Sequence, residues 1–408
     1  MHMTTKLWLA AAFTLGVLAS TAWGQNELRP GRLPDGPAKA IDAPAEDNSP
    51  AVKKKPSGSN AQEAKLLLHE AAQISSSGKT VEECTEVIEL CKRASGMTLT
   101  PEESKYGRDL ASWAHNKRGE LYAAQAVEFL EQGSDKEAAR LDRQALADFQ
   151  AAVKLDANRW KAIQNRGVSY GVLGLHDDAL ADFTRVTQIK PDYFYSWFNR
   201  AEINLETGRN AEAVRDYTAA LKLKSDDAST YRQRARAYDR LGKVGPAILD
   251  YTKAMELNDK DAPCVVERGE LYAQQGNWEL ADRDYRSAIE IDPDCAEAYR
   301  GIALLMSTCP QAKYRNAKFA VEMGEQAIEL AQAQHKNDFT YYDALAAAYA
   351  NAGRFEEAQS LLQRAIPKAP LDAAAAMKKR LALYASGKSY RENPPAETAK
   401  AESTRVQK

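Results

Sequence analysis

The sequence predicts an all-α solenoid, a row of antiparallel helical hairpins stacked one on the next. Two observations carry this. From Asn60 onward apolar residues recur at helical spacing, proline becomes rare and alternating strand patterns are missing. From position 160 to position 295 the sequence also resembles itself at a fixed period, the interval from Gly174 to Gly208, which marks a repeat whose core grows lengthwise. A length of 408 residues, too long for one ordinary core, fits such an array.

The N-terminal elements are of a different kind. Lys6 precedes an uncharged apolar run from Leu7 to Ala19, and Ala22-Trp23-Gly24 supplies small residues at a suitable cleavage point. Residues 1–24 therefore read as an export signal, with the mature chain beginning near Gln25 in a periplasmic or extracellular location. An uncleaved membrane anchor is the alternative, although the run is short for the ~20 residues that a span requires. Residues 25–60 hold six prolines and the run Lys53-Lys54-Lys55 with few large apolar side chains, so they are expected to form a disordered linker. Ala61 to Ile74 and Thr80 to Ala94 then make a first divergent hairpin joined through Ser75-Ser76-Ser77-Gly78.

The four regular units are residues 160–193, 194–227, 228–261 and 262–295. Small residues coincide at Gly167, Ala201, Ala235 and Gly269, and glycine stands mid-unit at Gly174, Gly208, Gly242 and Gly276. Ala179, Ala213, Ala247 and Ala281 are each followed four places later by an aromatic: Phe183, Tyr217, Tyr251 and Tyr285. The small residues let two helices approach closely while the aromatic fills the space beside them. The mid-unit glycine ends the first helix in a left-handed cap. Pro191 and Pro293 stop the second helices.

These residues resemble the tetratricopeptide repeat family, whose motif places small, aromatic, alanine and proline residues at such positions. The resemblance covers residues 160–295 closely. It implies a right-handed superhelix whose concave groove receives peptides or partner helices.

The flanking units are degenerate. Ala145, Asp148, Phe149, Ala152 and Leu155 fit the second-helix pattern, and Arg118-Gly119 matches Arg268-Gly269, but the turn between them is delayed by seven residues to Gly133-Ser134. Both arms of this hairpin, within the divergent stretch 61–159, are expected to be about two turns longer than usual and to protrude. Residues 296–370 continue the repeats, first with Cys309-Pro310 in place of the glycine turn and then regularly around Gly353. A capping helix over 371–386 and a flexible tail over 387–408 complete the chain.

Chemistry is thinly signalled. The 55 basic and 57 acidic residues nearly balance, so bulk charge supports neither nucleic-acid nor anionic-membrane binding. No phosphate-binding glycine loop, nucleophile elbow or H-E-x-x-H helix is present, and the expectation is no enzyme, no metal and no cofactor. Cys84 and Cys91 lie seven apart on one helix, about 10 Å along its axis and beyond disulfide reach. Mostly buried free thiols are expected at these and at Cys264, Cys295 and Cys309.

Two sets of polar residues compete for attention. Arg166, Arg200, Arg234 and Arg268 recur once per unit, as do Asp182, Asp216, Asp250 and Asp284, with Asp148 preceding them. A catalytic carboxylate is not usually copied once per repeat, so this ladder is expected to hold the hairpins together. Recognition is sought instead where units differ. Asn165, Tyr195, Phe198, Asn199 and Glu202 occupy first-helix positions that line the family's groove, and Arg232, Arg236 and Arg240 form a basic stripe on the next unit. Aromatics beside a basic stripe suit a peptide bearing apolar and acidic groups, while a solvated helix face beside an aromatic junction remains the alternative. The family's carboxylate clamp needs lysine, asparagine and arginine at set groove positions, which here read Gln164, Val168, Asn199, Ser229 and Gln233, so the clamp is absent. The functional expectation is an exported scaffold or adaptor that binds a protein or peptide partner. A self-associating structural or assembly protein of the cell envelope is the alternative.

Overall fold

The computed structural model describes residues 58–336 and 338–392. The expected export signal, nearly all of the proline-rich linker and residues 393–408 lie outside them. The described residues form an all-α solenoid of helical hairpins with no strand among them. The chain divides into two compact units with the boundary between Arg209 and Asn210.

The first unit runs α1 Gly58–Ser77, α2 Val81–Ser95, α3 Pro101–Glu131, α4 Asp135–Leu155, α5 Trp160–Val172, α6 His176–Ile189 and α7 Phe194–Glu206. Two capping boxes open it. The Thr80 hydroxyl accepts from Glu83 N at 3.1 Å, and the Glu83 carboxylate accepts from Thr80 N at 3.3 Å. Thr100 and Glu103 repeat the arrangement, with Pro101 in the first turn of α3.

The delayed turn falls at Gly133, whose φ of 73° is the left-handed conformation that the reversal requires. Both arms grow beyond the ladder by matching amounts: Arg118 and its aspartate are 30 residues apart, whereas Arg166 and its own are 16 apart, and the difference of 14 is seven per arm. Their tips pack on each other through Ala126, Ala138 and Leu141. The first arm is nevertheless longer than the expected two extra turns. α3 has 31 residues against 13 in α5, because its N-terminal part packs Leu110, Ala111 and Ala114 against Leu68, Val87 and Cys91 of α1 and α2. One helix thus completes the first hairpin's core and begins the next hairpin.

The second unit runs α8 Asn210–Leu223, α9 Ala228–Arg240, α10 Val244–Leu257, α11 Ala262–Gln274, α12 Trp278–Ile291 and α13 Ala296–Thr308. It continues with α14 Ala317–Ala333, α15 Phe339–Asn351, α16 Phe355–Ala365 and α17 Leu371–Ala385. The pairing of small residue and aromatic is a close contact in both units. A Cβ placed on Gly167 would stand 2.9 Å from the Phe183 ring, and one on Gly269 the same distance from Tyr285. Gly301 meets the same edge of the Tyr285 ring, where an added Cβ would come within 2.6 Å of Cε1. This aromatic therefore ties α12 to the first helix of its own hairpin and to that of the next. All five described cysteines are buried and free, and burial pushes the Cys84 thiol up to about 11 and the Cys91 thiol up to about 12.

The first residues of the expected tail depart from expectation. Residues 388–392 do not extend away from α17. They lie against the second unit, with the Ser389 hydroxyl donating to Ala350 O at 2.8 Å and the Glu392 amide to Thr308 O at 2.9 Å.

Candidate functional site

The ladder consists of bidentate ion pairs inside single hairpins. Arg166 donates to both oxygens of Asp182 at 2.8 and 2.7 Å, Arg234 to Asp250 at 2.7 and 2.8 Å, and Arg268 to Asp284 at 2.9 and 2.8 Å. Arg118 grips Asp148 in the same way at 2.8 Å, and His115 adds a 2.7 Å contact. Burial acts to raise the Asp148 carboxyl, but the hydrogen bonds from Arg118 and His115 hold it below the usual carboxylate range.

Three of the guanidinium groups of the regular units also reach back to the preceding hairpin. Arg234 donates to Thr218 Oγ1 at 3.1 Å, Arg268 to Thr252 at 3.0 Å, and Arg200 to Thr184 at 3.1 Å and Thr187 at 3.3 Å. Arg166 and Arg268 further lie over Tyr170 and Tyr272, 5.7 and 5.6 Å from the ring centroids. Asp216 is buried like its counterparts. Thr184, Thr218 and Thr252 recur at the same period in three of the four regular units, so their part was readable in the sequence. A group that joins one hairpin's helices and its neighbour's second helix has little freedom to engage a ligand.

The expected groove residues fare unevenly. Asn165 donates to Asn116 Oδ1 at 3.1 Å and Glu120 Oε1 at 3.2 Å. Phe198, expected to meet a ligand, is only 5% exposed and stacks on Phe194 at 5.7 Å, so it belongs to the packing. Asn199 is 2% exposed and likewise interior. Glu202 is half-buried on α7. Tyr195 remains half-exposed, in a chain of rings in which Trp160 and Tyr193 are 4.7 Å apart, Tyr193 and Tyr195 5.7 Å, and Phe194 and Tyr195 5.1 Å. Trp160, Tyr193 and Phe194 are also partly exposed.

The basic stripe is corrected more sharply. Arg232 and Arg236 of α9 converge on Glu267 of α11: Arg232 donates to its two oxygens at 2.8 and 3.2 Å, and Arg236 Nε at 3.2 and 3.1 Å, with a further contact from Nη2. Arg232 also bonds both oxygens of Asp261 at 3.0 Å. Burial works to raise the Glu267 carboxyl, yet the two arginines hold it below the carboxylate range. Arg240 is exposed at the end of α9. The pattern continues along the first helices, from Glu270 of α11 to Arg300 of α13 and from Asp343 of α15 to Arg380 of α17. Charges that a sequence reading assigns to a ligand are largely consumed in cross-linking neighbouring first helices. Among the described residues, no group of three His, Cys, Asp or Glu side chains gathers as a metal would require.

Family models described as tetratricopeptide repeat match residues 165–228, 198–262 and 342–374, and one described as TPR repeat matches 269–307. The chain is a tetratricopeptide repeat protein. Tetratricopeptide folds generally mediate protein–protein interaction. Similar solved structures include a tetratricopeptide repeat protein from Parabacteroides merdae ATCC 43184, 18% identical, covering 65% of this chain and 98% of that one with a TM-score of 0.46. The pilF protein of Pseudomonas aeruginosa is 16% identical over 58% of this chain and 96% of its own, with a TM-score of 0.44. YrrB, described as a TPR protein with an unusual peptide-binding site, is 18% identical over 46% of this chain and 89% of its own, with a TM-score of 0.40. No curated protein matches the sequence.

Proposed function

We propose that this tetratricopeptide repeat protein is an exported, non-catalytic adaptor, and that the aromatic edge formed by Trp160, Tyr193, Phe194 and Tyr195 anchors its protein or peptide partner. The observation that carries the reading is that these rings remain partly exposed although they pack on one another within 4.7–5.7 Å. Aromatic side chains give much contact area for little ordering entropy, which suits an anchor. With Arg232 and Arg236 satisfied by Glu267, the partner is recognised more by apolar and aromatic groups than by acidic ones. Export is supported by Lys6, the Leu7 to Ala19 run and Ala22-Trp23-Gly24, and an exported chain meets its partner in the periplasm or outside the cell.

The test is affinity purification from the native cell envelope with wild type and Tyr195→Ala, with the captured chain's intact mass read alongside. Tyr195 is chosen because it is half-exposed, whereas truncating Phe198 would disturb the packing. Loss of an anchor worth ~2 kcal/mol or more reduces affinity roughly thirtyfold. Recovery of the same partners in equal amounts would overturn the anchor, and a mass beginning at Met1 would overturn signal cleavage.

A further inference from the structure

The first helices of the regular hairpins close locally. At α5, Leu175 N donates to Tyr170 O at 2.8 Å and Gly174 N to Gly171 O at 3.0 Å around a φ of 75° at Gly174. The same pair of bonds recurs at α11, from Asn277 N to Tyr272 O at 2.8 Å and from Gly276 N to Ala273 O at 2.9 Å. Helix α13 lacks this device. It ends at Thr308, and the glycine turn is replaced by Cys309-Pro310, in which proline has no N–H to offer. Only Leu305 O is met locally, by Cys309 N at 3.0 Å. The next three carbonyls would be orphaned unless donors came from elsewhere.

Distant donors meet all three. Met306 O accepts from Asn316 N at 3.2 Å and from Asn351 Nδ2 at 3.4 Å. Ser307 O accepts from Arg391 Nη1 at 2.9 Å, and Thr308 O from the Glu392 amide at 2.9 Å. The last two donors belong to residues 388–392. This strap leaves α17 through Gly387, at a φ of 69°, where Lys388 N bonds Leu383 O at 3.0 Å. Arg391 also donates to Asn351 Oδ1 at 2.9 Å and Ser389 to Ala350 O at 2.8 Å, so the strap bridges the C-terminal ends of α13 and α15. Tyr390 packs into the apolar cluster of Met377 and Tyr384, with Arg380 5.4 Å from its ring centroid.

We infer that the C-terminal ends of α13 and α15 form a docking site for an extended segment carrying a tyrosine followed by an arginine, and that the chain's own residues 388–392 occupy it. The acceptors are mostly main-chain carbonyls, met by the Ser389 and Arg391 side chains and by the Glu392 amide, so the segment must present these three donors together. The guanidinium fork between Ser307 O and Asn351 Oδ1 and the tyrosine against Met377 and Tyr384 supply selectivity. The site is separate from the aromatic edge of the first unit and independent of what binds there. Tethering gives the strap an effective concentration on the order of mM, so a modest intrinsic affinity keeps the site filled. A free segment of the same chemistry binds when the strap is weakened.

The experiment uses full-length chains and a fluorescent peptide, Ser-Gly-Lys-Ser-Tyr-Arg-Glu, with the sequence of residues 386–392. Arg391→Ala weakens the tethered strap and leaves the docking site intact. The peptide is expected to bind this variant at least about tenfold tighter than wild type, and a peptide with alanine in place of its arginine is expected to lose that gain. Equal binding to the two chains, or no binding to Arg391→Ala, overturns the inference. Hydrogen exchange on the wild-type chain decides independently of the variant's folding. The Glu392 amide should be protected at least about tenfold over the free peptide, and an unprotected amide overturns the inference.

Discussion

Tyr285→Ala is expected to destabilise the second unit by about 3–5 kcal/mol, the upper range for removing a buried aromatic. The ring is 3% exposed and lies between Gly269 and Gly301, which have no side chains to move into the space it leaves. The resulting cavity therefore persists and separates the first helices of two hairpins from α12. Tyr285→Phe keeps the ring and should stay within about 1 kcal/mol of wild type. Denaturant unfolding followed by circular dichroism measures the loss. Because repeat arrays unfold in parts, hydrogen exchange over α11, α12 and α13 should show the loss concentrated there. A change under about 1 kcal/mol would mean that the aromatic does not join the hairpins.

The second large effect is expected at Glu267. Removing one partner of a buried ion pair costs about 3–5 kcal/mol. Glu267 and Arg232 each keep 20% of their side-chain surface exposed, so solvent relieves part of this and Glu267→Ala should lose roughly 2–4 kcal/mol. The loss exceeds that of an ordinary surface pair because Arg232 and Arg236 would then face each other without their shared anion. The pH dependence has a fixed sign. The folded carboxyl lies below its ordinary range, so its stabilisation is complete above the unfolded glutamate value of about 4.3 and is lost as pH falls through the lower folded value. The stability difference between wild type and Glu267→Ala should accordingly be constant at neutral pH and shrink only under acidic conditions. A difference that grew on acidification would contradict the geometry.

Much of the fold was legible because its determinants are local and copied. The glycine turns, the small-residue contacts on Phe183 and Tyr285 and the arginine–aspartate spacing recur from unit to unit, and each repetition removes an alternative reading. What escaped is non-periodic. The full length of α3 depends on packing against α1 and α2, although Thr100-Pro101 with Glu103 marks its start in the sequence. Tyr195 and Phe198 both looked like parts of a binding surface, but Phe198 is consumed in stacking and the anchor narrows to the rings around Tyr195. Arg232 and Arg236 looked available because Glu267 lies 35 and 31 residues away, on a helix whose side-chain directions the sequence does not reveal. The docked strap left a subtler sign. Cys309-Pro310 announced a missing glycine cap, but two of the donors that replace it, from Arg391 and Glu392, come from 84 residues away.

If the repeated charges hold the stack and the unrepeated aromatics perform recognition, Arg268→Ala separates the two roles. One measurement is decisive: stability and partner recovery of this variant in the same preparation. Loss of the Asp284 pair and the Thr252 bond should lower stability by roughly 2–3 kcal/mol, while partner bound per folded molecule stays at the wild-type level. Unchanged stability together with loss of the partner would contradict the division of labour and make the ladder itself the binding site.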